Sequence, residues 1–165
     1  MDDMANNQSI NAVDVIPSDT INIPNPGKIT SGTNTSGVAL TLTDAGQNFL
    51  NSATNPNGYN IRGGDVVYSA AGVICEIESV DSATQLTLKT PGIAAGTYDI
   101  YKGNVANGDS PGYSLFVGTT GDVAIQTPGG EDVVMKNVGN ASFIPQQAIK
   151  VKAAGTTATD ILALL

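Results

Sequence analysis

The sequence predicts a mainly β protein: two small barrel- or sandwich-like modules, an extended N-terminal arm and at most one short helix. Three observations carry this. Nineteen glycines and eight prolines punctuate the 165 residues, which suits many short strands. Charged residues make up only 13% of the chain, about half the usual ~25% share. Thr, Ser, Asn and Gly fill the polar surface instead, and these residues favour turns and strands over exposed helices. Third, short apolar runs alternate with polar residues and end at turn signals. A hydrophobic content of 41% is enough for a packed core.

Residues 1–27 read as an arm. Val13, Val15, Ile16, Ile21 and Ile23 are interrupted by Pro17, Pro24 and Pro26. Proline cannot donate to a ladder, so the segment is an edge strand or an extended tail. It is either a frayed terminus or an arm that orders on a neighbouring subunit. In the second case these five apolar residues are the candidate partner contacts.

Residues 28–101 form the first predicted module. Strands are expected at 38–42, 65–69, 73–80, 85–89 and 98–101, with a turn at 55–58. Thr43 can cap a short helix over 44–50, with Ala45 and Phe49 one turn apart. In the run 73–80, Val73, Cys75 and Ile77 face one way and Glu76 and Glu78 the other. Residues 102–111, rich in Gly, Asn, Ser and Pro, read as a linker. Residues 112–165 form the second module, with strands at 113–117, 122–127, 132–138 and 148–153. The terminal run Ile161-Leu162-Ala163-Leu164-Leu165 is expected to pair as a last strand.

The chain has no His, so Ser-His-Asp and Cys-His arrangements are absent. The lone Cys75 rules out an intrachain disulfide and a cysteine-based zinc site; on an apolar strand face it reads as a buried, inert thiol. Glu76 and Glu78 read as a solvated strand face rather than an acid–base pair. Asp65, Asp122 and Asp132 neighbour turns without calcium-loop spacing, and Gly118-Thr119-Thr120-Gly121 lacks the Lys of a phosphate loop. No catalytic, cofactor or metal residue is therefore assigned. Tyr59, Tyr68, Tyr98, Tyr101 and Tyr113 leave open a carbohydrate-binding face, against the plainer reading of structural tyrosines. The net charge of −8 without a basic stripe argues against nucleic acid. No apolar run approaches the ~18–20 residues of a membrane span, and the N-terminus lacks the pattern of a signal peptide.

Two stretches resemble virion structural proteins of tailed bacteriophages, of the capsid decoration (cement) or head-fibre type. The first runs through Leu40-Thr41-Leu42-Thr43-Asp44, Gly64-Asp65-Val66-Val67-Tyr68, Ile77-Glu78-Ser79-Val80-Asp81 and Tyr98-Asp99-Ile100-Tyr101. The second runs through Leu115-Phe116-Val117-Gly118, Gly121-Asp122-Val123-Ala124-Ile125, residues 138–145 and Ala154-Gly155-Thr156-Thr157. Together they cover most of residues 40–165, and the arm lies outside them. The resemblance implies a non-enzymatic protein on the outer surface of a capsid, made in the bacterial host cytoplasm. Its implied partners are the major capsid protein or other virion subunits, with self-association open and no nucleic acid or membrane. A head-fibre, collar or tail position is the alternative within this group. A carbohydrate-binding module is the alternative outside it.

Overall fold

The computed structural model describes residues 11–37, 40–50, 60–103 and 112–165. Among them the chain is all β, with antiparallel sheets and no helix. Thirteen strands occur in order: β1 Ala12–Asp14, β2 Lys28–Asn34, β3 Thr41–Thr43, β4 Val66–Ser69, β5 Ile74–Ser82, β6 Gln85–Leu88, β7 Gly96–Tyr101, β8 Tyr113–Thr119, β9 Gly121–Gln126, β10 Asp132–Val138, β11 Ser142–Ala148, β12 Lys150–Val151 and β13 Thr159–Leu164.

The first unit is one six-stranded sheet in the order β2-β7-β4-β5-β6-β3. The first half of β5 pairs with β4 and its second half with β6, so the sheet curls at that strand. The two edges approach where the Thr35 N–H donates to the Thr43 carbonyl at 2.9 Å, but they form no ladder and the sheet does not close into a barrel. The concave side holds a core that includes Leu42, Phe49, Val67, Cys75, Ile77, Leu86, Leu88 and Ile100. The alternation expected around Cys75 is present: Cys75 and Ile77 are fully buried and Glu78 is exposed.

The helix expected over 44–50 is not formed. Asp44 makes a turn instead, with the Gln47 N–H on its carbonyl at 3.2 Å. Its carboxylate takes the Gly46 N–H at 2.9 Å, as a capping group does, but also the Thr33 N–H at 2.7 Å and the Tyr98 hydroxyl at 2.9 Å. The Phe49 N–H then bonds the Ala83 carbonyl, 2.8 Å away, and a continuing helix could not offer that donor. The strand start expected at Val38 and Ala39 and the turn at 55–58 lie outside the described residues.

The second unit is sandwich-like, with a four-stranded sheet β1-β13-β8-β11 facing a three-stranded sheet β10-β9-β12. The registers show how it is built. Val117 lies opposite Ser142 at the end of one sheet, and Gly121 opposite Val138 at the start of the other. Residues 113–126 and 132–148 are thus one long hairpin, folded over at its middle so that its halves face each other. On the other side of 113–126, residues 150–164 run antiparallel in the same way, with Val151 opposite Ile125 and Ile161 opposite Val117. The single strand expected at 148–153 is therefore split: Ala148 still pairs with Tyr113 in one sheet, whereas Lys150 pairs with Gln126 in the other. The C-terminal run is paired as expected.

The fold-over needs close backbone approach at the corner. A Cβ on Gly121 would lie 2.6 Å from Ala158 Cα, and one on Gly118 2.7 Å from Asp160 Cβ. Only glycine fits there without displacing the neighbouring strand. Leu115, Val117, Val123, Ile125, Val151, Ile161 and Ala163 fill the space between the halves.

Candidate interaction surfaces

Three of the five arm residues, Val13, Val15 and Ile23, sit on the chain's own second unit, whereas Ile16 and Ile21 border the grooves beside the first sheet. Val13 pairs opposite Ala163, the Val15 N–H donates to the Ile161 carbonyl at 2.7 Å, and the Ile23 N–H donates to the Ile149 carbonyl at 2.8 Å. Val13 and Ile23 are 3% and 4% exposed within the second core. The chain itself covers the apolar surface of these two. Val15, Ile16 and Ile21 are half-buried. The prolines interrupt the segment without detaching it: Ala12–Asp14 forms a ladder before Pro17, and isolated backbone bonds from Ser18 and Ile23 hold the rest.

The tyrosines do not share one face. Tyr98 and Tyr113 are buried in the two cores, and Tyr59 lies outside the described residues. Tyr68 and Tyr101 pack together with ring centroids 5.1 Å apart and lean on the second core. Burial holds both phenols above their ordinary pKa, with Asp14 contributing to each, so they stay neutral. They border a groove of about 460 Å³ that also meets Asp14 and Asp99. A larger cleft of about 630 Å³ lies between Ile21 and the first sheet, lined by Arg62, Asp65, Glu76, Lys89 and Lys102. Its carboxylates are engaged: Asp65 is 3.2 Å from Lys102 Nζ and also accepts the Arg62 and Gly103 N–H groups, while Glu76 pairs with Lys89.

Cys75 is buried, and desolvation raises its pKa. Among the described residues, no three His, Cys, Asp or Glu side chains gather as a metal site. No helix among them is long and apolar enough to cross a membrane.

The surface that the sequence did not single out is the outer face of the four-stranded sheet. Phe143 lies opposite Phe116, Phe116 opposite Leu162, and Leu162 opposite Asp14. Their sequence neighbours Leu115, Val117, Ile144, Ile161 and Ala163 point into the core. Period-two alternation therefore turns Phe116, Phe143 and Leu162 outward as an apolar row across three strands. Phe143 is 57% exposed, while Phe116 and Leu162 are half-buried. Apolar residues at both i and i+1 of β8, β11 and β13 are the signal that could have identified this row. No family model, curated protein or solved structure matches the chain.

Proposed function

We propose that this chain is a non-enzymatic structural component of a tailed bacteriophage particle: a capsid decoration protein that binds the outer shell and bridges neighbouring capsid subunits. The reading rests on the resemblance across residues 40–165. The observation that carries it in the structure is the outward row Phe143–Phe116–Leu162 on the paired strands of the sandwich-like unit. Apolar side chains on a fixed sheet face are suited to a protein partner, because their burial contributes without ordering a flexible segment. Many modest contacts of this kind add up when they repeat over a shell. The acidic balance of −8 fits a protein surface rather than duplex DNA as the partner.

Co-sedimentation with expanded heads of the cognate particle tests the proposal. The wild-type chain should pellet with the heads, and Phe143→Asp should remain in the supernatant while keeping its fold. Binding to isolated collars or tails and not to heads would move the protein to the alternative position in the particle. Tight binding to duplex DNA at physiological salt, or no binding to any virion part, would overturn the reading.

A further inference from the structure

We propose that β10 is a pairing edge for a second copy of this chain, joined antiparallel about a two-fold axis centred on Val134. β10 is the outer strand of its three-stranded sheet. The other described edges are occupied or short. The Ser31 carbonyl of β2 is taken by Gln47 Nε2 at 2.6 Å, and the Thr33 N–H by Asp44. β11 is interrupted in its middle by Pro145, whereas the register shift of β10 falls after Met135, towards its C-terminal end. β1 and β3 have three residues each, and β12 has two. By contrast, β10 presents Val133 at 39% and Val134 at 47% exposure. Natural sheets seldom leave an apolar edge uncovered.

The direction of the backbone groups fixes the phase of pairing, and the charges choose the register within it. The Thr127 N–H donates to the Glu131 carbonyl at 2.9 Å, so residue 131 points towards β9. By the alternation of an antiparallel ladder, 133 and 135 point the same way, and 132 and 134 point outward; the regular register runs to Met135, and Lys136 continues it just before the shift that ends at Val138. On the far side of β9, the Ile149 N–H bonds the Gln126 carbonyl and the Lys152 N–H bonds the Ala124 carbonyl, which agrees with that phase. A two-fold centred on Val134 makes it a hydrogen-bonded pair with its own copy. Asp132 then falls opposite Lys136 of the other copy, and Val133 opposite Met135.

The charges agree with this register. Within one chain Asp132 pairs with Lys152, and Lys136 with Asp122 at 2.8 Å. Joining two copies links these pairs into an alternating row of Lys152, Asp132, Lys136 and Asp122 on each side of the axis. Opposite charges directly across a strand pair stabilise it, and like charges destabilise it. Every contact occurs twice, as an isologous interface requires.

Sedimentation equilibrium of the purified chain tests this. The mass should rise with concentration from 16.8 kDa towards twice that value. Asp132→Lys and Lys136→Asp should each weaken self-association at least about tenfold, because each places two like-charge pairs across the axis. Mixing the two variants should restore a heterodimer, since the two lysines of one copy then face the two aspartates of the other. Val134→Pro removes only an outward N–H and should abolish pairing with the far-ultraviolet circular dichroism unchanged; if that variant unfolds, the charge pair decides. A chain that stays monomeric to about 1 mM, or a dimer indifferent to both charge variants, would overturn the proposal.

Discussion

Gly121 and Ala158 touch backbone to backbone at the corner where the long hairpin folds over: a Cβ on Gly121 would stand 2.6 Å from Ala158 Cα. The sandwich-like unit closes only because nothing projects there. Gly121→Ala should therefore cost about 1–3 kcal/mol or more, the range for forcing atoms into a packed site. Urea unfolding of the variant measures it; an unchanged midpoint would mean that the strands are not this close.

Asp44 anchors the turn that replaces a helix. Its carboxylate accepts the Tyr98 hydroxyl, the Thr33 N–H and the Gly46 N–H, while Asp44 is only 7% exposed. Asp44→Ala leaves these donors without their acceptor and should destabilise the first unit by about 2–3 kcal/mol or more. Tyr98→Phe removes one donor and should cost less, about 1–2 kcal/mol. Denaturation curves of the two variants should fall in that order.

The N-terminal segment should behave as part of the second core. Ile23→Ala should cost about 2–4 kcal/mol, as for other buried aliphatic truncations. Deleting residues 1–27 should destabilise the second unit, since it removes both Val13 and Ile23. Removing 161–165 should do the same by taking Ile161 and Ala163 from that core. The buried core of the first unit shares no residue with it, but Tyr68 and Tyr101 lean on the second core, so the first unit should lose less stability than the second.

Acid should destabilise the protein through its exposed carboxylates. Lys136 and the Asn137 N–H hold Asp122 below its ordinary value of 3.8, Lys152 does so for Asp132, Thr119 and Thr159 for Asp160, and Ser79 and Thr87 for Asp81. A pKa lowered by folding means that the folded state binds fewer protons. The stabilisation is complete above the unfolded value and is lost as pH falls through the folded one. Urea midpoints should be flat above about pH 5 and decline below about pH 4. Asp122→Asn should make that decline shallower.

Much of the fold was legible because turn chemistry and alternation agreed. The strand Asp132–Val138 was expected at those bounds because Pro128-Gly129-Gly130 marks the turn before it and Gly139 its end. Two strands were missed for the opposite reason. Lys28–Asn34 has Ile29 as its only large apolar residue, and Ser142–Ala148 contains Pro145-Gln146-Gln147, so neither shows a period. Thr43 and Asp44 carry a helix-start signal, but tertiary donors on Thr33 and Tyr98 claim the carboxylate. The apolar arm residues showed that the segment must be covered, but not by what; the partner strand lies at the far end of the sequence, with Val13 opposite Ala163. The outward row of Phe116, Phe143 and Leu162 was hidden because its members belong to three separate strands, and only the registers bring them together.

Cryo-electron microscopy of the particle that carries this chain tests the decoration reading most directly. The reading predicts density for both β units on the outside of the head, with Phe116, Phe143 and Leu162 packed against a capsid subunit. Density for the chain anywhere other than the outside of the head, or a bound chain whose row of Phe116, Phe143 and Leu162 faces solvent, would contradict it.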